Sequence, residues 1–251
     1  MELRDFFAAH PRAALAFSGG ADSSFLLWAA LRWAEDVGVY CVRSAFQPAF
    51  ERADALRLAE QLGAPVRMIE VDVLALPAVA ENGPDRCYHC KKAILAAIRA
   101  QAERDGFPVV IDGTNADDDP ADRPGFRALE EAGVLSPLRL CGLDKAEIRR
   151  LSREAGLFTA DKPAYACLAT RVQCGETITQ EKLRAVELAE KALFGLGFRD
   201  FRVRSRNGRA LVQVTAEQMP LARSRRGEIE EKLAPLFDGV DLDPKEREKS
   251  R

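Results

Sequence analysis

No run in the 251-residue chain approaches the ~18 consecutive apolar residues that a membrane span requires. A dominant charge is also missing: 37 Lys and Arg stand against 39 Asp and Glu, a formal net charge of -2. That balance gives no global field for a polyanion such as DNA or bulk tRNA, so no nucleic-acid partner is expected, although local basic patches remain. The opening Met1-Glu-Leu-Arg-Asp-Phe-Phe7 is acidic from the start and has no apolar segment ending in small residues, which speaks against a secretion signal. A cytoplasmic protein without a membrane partner is the expectation. No internal repeat is visible. Cysteine is sparse, at positions 41, 87, 90, 141, 167 and 174. Without a secretion signal, those six point to metal or thiol chemistry and away from a disulfide framework.

What is present is an alternation. Residues 13–17 read as a short buried strand, and 22–35 as a helix with apolar Phe25, Leu26, Trp28, Ala29 and Leu31. Val39 to Arg43 is a second strand, Phe50 to Leu62 a helix closed by Gly63, and Val66 to Val71 a third strand. An irregular acidic stretch reaches Arg86, Cys87 to Arg104 is helical, and the strand Val109 to Ile111 ends in Asp112-Gly-Thr-Asn115. Such spacing predicts an α/β fold with a doubly wound, mostly parallel sheet. After an Asp- and Pro-rich loop, 116–125, come a short helix, a helix near Lys145 to Gly156, and an irregular segment, 158–175. From Thr179 the pattern changes: a helix, two strands near 201–206 and 210–215 joined by the hairpin signal Asn207-Gly208, and a helix from Glu217 to Leu236. The expected division is a nucleotide-binding domain, 1–175, that carries the cysteines, and a small C-terminal α+β domain, 176–251. The charged end from Asp243 to Arg251 reads as frayed.

The stretch with the most chemistry is Ser18-Gly-Gly-Ala-Asp-Ser23, set between the first strand and the first long helix. At the carboxyl end of such a strand, free N–H groups and the helix dipole make an anion site. Gly19 and Gly20 let the backbone approach phosphate oxygens, Ser18 and Ser23 add hydroxyls, and Asp22 could hold a metal on the same phosphates. No lysine follows the glycines, so this is not the G-x-x-x-x-G-K-[ST] loop. A turn that merely needs glycine is the competing explanation. Two features agree with a nucleotide crevice: Asp112-Gly-Thr-Asn115 at another strand end, and Leu143-Asp-Lys-Ala-Glu-Ile-Arg149, where Lys145 opens a helix and could meet a phosphate. A lysine there is also what a solvated helix face would carry.

Cys87-Tyr-His-Cys90 opens a helix, where the dipole favours thiolates. A structural zinc site normally takes four protein ligands, and no second C-x-x-C exists. Cys167 could raise the count to three, which suits an iron–sulfur cluster with one open iron or an open zinc site; two buried thiols would need no metal at all. Cys41 lies inside a predicted strand and belongs to the core.

The glycine loop resembles the PP-loop of the N-type ATP pyrophosphatases. Taken with Arg86-Cys-Tyr-His-Cys-Lys-Lys92, Asp112-Gly-Thr-Asn115, Asp122-Arg-Pro-Gly125, Glu131-Ala-Gly133 and Ala166-Cys-Leu-Ala-Thr-Arg171, it resembles the LarE family along residues 13–215. The resemblance implies an adenine nucleotide alpha hydrolase-like fold and ATP with Mg2+ bound by Ser18, Gly19, Gly20, Asp22, Ser23, Ser24, Ser44, Gly113, Asn115 and Lys145. The reaction it implies adenylylates a carboxylate of pyridinium-3,5-biscarboxylic acid mononucleotide and lets sulfur displace AMP, in nickel-pincer nucleotide cofactor synthesis. One branch of the family sacrifices a single cysteine sulfur, leaving dehydroalanine. The other has three cysteines and a [4Fe-4S] cluster that carries sulfide. With Cys87, Cys90 and Cys167 all present, this chain resembles the cluster branch. The resemblance makes Cys167 and Asp22 catalytic and Arg202, Arg204 and Arg171 phosphate contacts in the C-terminal domain. It also implies a sulfide or other sulfur donor and a homo-oligomer.

One departure stands out. Where the family continues toward Pro and Tyr before a glycine, this chain has Val172-Gln-Cys-Gly175, so Cys174 replaces an aromatic residue. It is either a small apolar filler or an auxiliary thiol for incoming sulfur. Two further readings stay open: a tRNA thiolase or deazaguanine nitrile synthase, kept alive by arginines 199, 206, 209, 223, 225 and 226, and a non-catalytic nucleotide or metal sensor.

Overall fold

A computed structural model describes residues 1–119 and 124–247. Asp122 and Arg123 of the quoted motif, and the last four residues of the chain, lie outside the described residues. The chain divides into two compact units, one made of Met1–Val73 and Cys87–Lys162, the other of Leu74–Arg86 and Pro163–Arg251.

Along the chain run helix α1 (Leu3–Ala9), strand β1 (Arg12–Ala16), α2 (Ala21–Trp33), β2 (Asp36–Arg43), α3 (Ala49–Gln61) and β3 (Val66–Glu70). A short α4 (Pro77–Ala80) lies in the second unit's insert. Then α5 (Arg86–Arg104), β4 (Val109–Asp112), α6 (Gly125–Glu131), α7 (Pro137–Leu140) and α8 (Lys145–Glu154) complete the first unit. Its sheet has the order β3-β2-β1-β4 with every pair parallel. β1 is central because it reads Ala-Ala-Leu-Ala: Ala13, Ala14 and Leu15 are fully buried, as a strand covered on both faces must be.

Alternation along β1 separates two cores. Ala13 and Leu15 pack with Phe6 and Phe7 of α1, Leu26 of α2, Leu58 of α3 and Ile148 of α8. Ala14 faces the other way, toward Tyr40, Val110 and the α5 residues Ile98 and Ala102. Helices thus cover both faces, and the doubly wound α/β architecture implied by the alternation is the one observed. All four strands point the same way, so the loops after β1, β2 and β4 gather at one carboxyl-end edge, where such sheets bind ligands.

The second unit contains α9 (Gln180–Gly195), the hairpin β5 (Arg202–Arg206) and β6 (Arg209–Gln213), then α10 (Met219–Ser224), α11 (Arg226–Leu233) and β7 (Val240–Leu242). Thr179 caps α9 by accepting from the Lys182 amide at 3.3 Å. Asn207 and Gly208 both have positive φ, as the two-residue hairpin signal requires. The single helix expected over 217–236 is broken. Pro220 can only start a helix, so a 3-10 turn, Ala216–Gln218, precedes α10, and Arg225 separates α10 from α11.

The charged tail is not frayed through Arg247. β7 runs parallel to β6, the Asp243 amide donates to Val212 O at 2.9 Å, and Arg247 donates to Asp200 at 2.8 Å. Free β6 backbone groups are what the tail satisfies.

The second unit is centred on an ion pair. Glu190, in the middle of α9, accepts from Arg171 Nε at 2.8 Å, from the Val203 amide at 3.0 Å and from the Tyr165 hydroxyl. Both charged side chains are almost wholly buried, at 1% and 3% exposure. Removing one partner of such a pair leaves an uncompensated charge. Glu190→Ala is therefore expected to lose about 3–5 kcal/mol of stability, and Glu190→Gln less. Urea unfolding followed by far-UV circular dichroism measures both; equal midpoints for Glu190→Ala and the unaltered protein would show that the pair holds nothing together.

Candidate functional site

The glycine loop is shaped by backbone packing. Gly19 has φ +77°, and a Cβ placed on it would lie 2.5 Å from the Ala55 Cβ of α3. Gly113, just past β4, would put a Cβ 2.8 Å from the Ser23 amide nitrogen. Only glycine fits either place. The Gly20 amide donates to Ser18 Oγ at 3.3 Å, the Ser18 and Ser23 hydroxyl oxygens lie 3.0 Å apart, and Ser23 Oγ donates to Gly20 O at 3.2 Å. The loop is thereby folded onto the first turn of α2.

Asp22 joins three separate stretches. Its Oδ2 accepts from Lys145 Nζ at 2.5 Å and from Asn115 Nδ2 at 3.2 Å. Lys145 gets there because Asp144 caps α8, accepting from the Glu147 amide at 2.8 Å, while the Lys145 amide donates to Asp117 at 2.9 Å. Asp112, at the end of β4, is tied down by Thr114 Oγ1 and Ser136 Oγ, each at 2.7 Å. The remaining Asp22 oxygen, Oδ1, is buried and has no hydrogen-bond partner. A buried acceptor left unmade is costly, by about 1–3 kcal/mol, and suits a cation or an incoming donor. Ser18, Gly19, Gly20, Asp22, Ser23, Gly113, Asn115 and Lys145 are thus brought together. Ser24 is fully buried in α2. Ser44 sits at the carboxyl end of β2, where its Oγ accepts from the Phe46 amide at 3.4 Å.

Beside the loop lies a group that no motif announces. Lys162 Nζ sits 3.0 Å from Glu51 and 2.9 Å from Asp54, both on α3, and Arg149 donates to the carbonyls of Ala160 and Lys162. Burial pushes the Glu51 carboxyl up, against the pull of Lys162.

Cys87 is exposed and Cys90 half-buried on the first turn of α5. That turn is fastened through Tyr88, whose hydroxyl donates to Glu131 at 2.8 Å, and through Lys92, 3.0 Å from the same carboxylate. Cys167, in the second unit, is half-buried at the head of a 3-10 turn, Leu168–Arg171; its carbonyl accepts from the Thr170 amide at 3.0 Å and from Thr170 Oγ1 at 2.8 Å. Among the described residues no three Cys, His, Asp or Glu side chains are grouped as a metal ion would need. Cys41 is fully buried in β2, and burial raises its thiol.

In the second unit the arginines split into two roles. Arg171 and Arg202 lie over the Tyr165 ring at 4.6 and 5.0 Å from its centroid, a cation–π arrangement. Arg202 also donates to the Phe201 and Ala164 carbonyls. Burial first, then the neighbouring Arg171 and Arg247, lower its guanidinium to about 10. Arg204 lines a cavity of about 360 Å³ together with Arg86, Arg171, Arg206, Asn82 and Cys174. Its own partners are neutral: Gln213 Oε1 at 2.6 Å and Thr170 O at 2.7 Å. Burial first, then Arg171 and Arg206, lower its guanidinium as well. A cluster of cations that depress one another is a site for an anion. Although Arg202 and Arg204 share strand parity, only Arg204 faces the cavity.

Glu190, Asn82 and Lys162 are absent from the sequence-derived site. Asn82 is buried at φ +57° and donates through Nδ2 to the carbonyls of Gln173 and Glu176 at 2.7 and 3.2 Å, while its Oδ1 accepts from Arg86. Its turn cue, Asn82-Gly83-Pro84, was the available signal. Of the basic tail, Arg209 pairs with Asp241, Arg226 with Glu230 and Arg225 with Glu228.

No protein-family model matches the chain. An uncharacterized protein of Synechocystis is 36% identical over 219 residues, 86% of this chain and 81% of its own length. An uncharacterized protein of Methanocaldococcus jannaschii is 28% identical over 80% of this chain and 76% of its own. The pyridinium-3,5-bisthiocarboxylic acid mononucleotide synthase of Lactiplantibacillus plantarum is 34% identical over 205 residues, 81% of this chain and 74% of the synthase. At that identity and coverage, the chain belongs to the LarE family, that of the Lactiplantibacillus synthase.

Proposed function

We propose that this protein is an ATP-dependent sulfur transferase that turns a carboxylate of pyridinium-3,5-biscarboxylic acid mononucleotide into a thiocarboxylate, as a step toward a nickel-pincer nucleotide cofactor. The observation that carries the reading is the Asp22 carboxylate at the head of the glycine loop, with one oxygen held by Lys145 and Asn115 and the other buried without a partner. The name of the Lactiplantibacillus relative supports the class of product.

In this reading, the α2 amides and the Ser18 and Ser23 hydroxyls bind the β- and γ-phosphate oxygens of ATP. Lys145 stabilises the charge that collects on departing pyrophosphate. Mg2+ fits at Asp22 Oδ1, and when bound it would neutralise phosphate oxygens. The substrate carboxylate oxygen attacks the α-phosphorus; the bond to pyrophosphate breaks and takes its electron pair along. A carboxylate is a poor electrophile, and its mixed anhydride with AMP is a good one. A sulfur anion then attacks the acyl carbon, the C–S bond forms, and AMP leaves. Arg204 is the proposed direct contact of the substrate phosphate, with Arg171, held by Glu190, and Arg202 adding positive charge behind it.

Cys167 is the proposed origin of the attacking sulfur or a ligand of its carrier. A [4Fe-4S] cluster on Cys87, Cys90 and Cys167 is the proposal that the three-cysteine resemblance supports. Among the described residues no such grouping of ligands is present. The tRNA-thiolase reading is weakened by the carboxylate partners of Arg209, Arg225 and Arg226.

Pyrophosphate release from ATP and Mg2+ should depend on the pyridinium mononucleotide and fall by about 100-fold in Asp22→Asn. A protein that releases none under any condition is a sensor, and the reading fails. Anaerobic loading with iron and sulfide, followed by turnover and intact mass measurement, should leave the mass unchanged over several turnovers. Loss of one hydrogen sulfide per chain, with full activity in Cys87→Ser, would remove the cluster and make Cys167 the spent donor.

A further inference from the structure

The cavity of the second unit contains a thiol that the chemistry above leaves unused. Cys174 is exposed on the loop 172–176 and donates to the Asn82 carbonyl, 3.3 Å away. The loop is pinned by Asn82, whose side chain takes the carbonyls of Gln173 and Glu176 and whose own carbonyl accepts from the Gly175 amide at 2.9 Å. The thiol is thereby fixed on the wall of a cavity of about 360 Å³ that Arg86, Arg204 and Arg206 also line. Arg86 donates there to Asn82 Oδ1 at 2.7 Å and Ala169 O at 2.9 Å. Arg204 has neutral partners. No carboxylate lines the cavity among the described residues; Asp243, which feels Arg206, lies outside the lining.

Two facts meet in this cavity. The Arg204 guanidinium, whose partners are neutral, offers its charge to an anionic ligand, in the planar geometry that binds oxyanions. The Cys174 thiol lines the same space, and a thiol attacks as its thiolate. A volume some ten times the ~30 Å³ share of a water molecule leaves room for a small dianion beside the thiol.

We propose that Cys174 is a sulfur-loading thiol, taking the terminal sulfur of an anionic sulfane-sulfur donor of the thiosulfate class that Arg86, Arg204 and Arg206 hold. The thiol proton passes to water. The Cys174 sulfur attacks the outer sulfur of the donor, a new S–S bond forms, the donor's S–S bond breaks, and its electron pair leaves with sulfite. The product is a persulfide anion on Cys174. Its release as hydrosulfide takes two electrons, from two equivalents of a thiol that become a disulfide. The destination of that sulfur rests on the proposed transferase reading; the loading step does not, because it needs neither ATP nor the pyridinium substrate.

The full-length protein is incubated with thiosulfate alone, and sulfite release and intact mass are followed. The expected result is one sulfur atom added per chain and one sulfite released, abolished in Cys174→Ser and retained in Cys167→Ser. Arg206→Gln, at an exposed position, should raise the thiosulfate concentration for half-loading about tenfold, and inorganic sulfate should compete. No added mass in the unaltered protein overturns the proposal, as does equal loading of Cys174→Ser or insensitivity to Arg206→Gln. Loading without pyrophosphate release would overturn the transferase reading and leave this one standing; pyrophosphate release without loading would do the reverse.

Discussion

The arrangement depends on one carboxylate. Asp22 stands on the first turn of α2, yet its partners come from the end of β4 and the start of α8. A charge there is tolerable because Lys145 is delivered to it by a capped helix. The parallel sheet makes that delivery possible: each crossover returns the chain so that the next strand ends on the same edge. Without that topology, the glycine loop, Asn115 and Lys145 would have no common edge on which to meet.

The second unit solves a different electrostatic problem. It buries Arg171 against one acid and keeps other arginines against carbonyls and amides. Tyr165 offers its ring to two guanidiniums and its hydroxyl to Glu190. Arg204 and Arg206 carry positive charge on the cavity side of β5.

What could be read from the sequence was local. The β–α alternation, the glycine loop and the Asn207-Gly208 hairpin each depend on neighbours in the chain, and each is found where expected. Lys145 was legible because a helix start places it. Glu190 was hidden, since its partners Arg171 and Val203 are distant and a charged helix offers many glutamates that face water. The salt bridges of Lys162 with Glu51 and Asp54 were hidden for the same reason. The tail from Val240 to Arg247 looked solvated because its order comes from β6, a tertiary partner that composition does not reveal. Pro220, by contrast, was visible, and the helix break it imposes follows from the missing amide.

The walls of the glycine-loop crevice at Gly19 and Gly113 are backbone against backbone or against Ala55, with no side chain to rotate. Any single substitution at either position adds at least a Cβ where no space exists. Those two positions are therefore closed to gradual retuning, and a chain of this design can change its preferences only where side chains line the space. Variation in chemistry across such proteins should accumulate in the arginine-lined cavity of the second unit, while the glycine-walled edge of the sheet stays as it is.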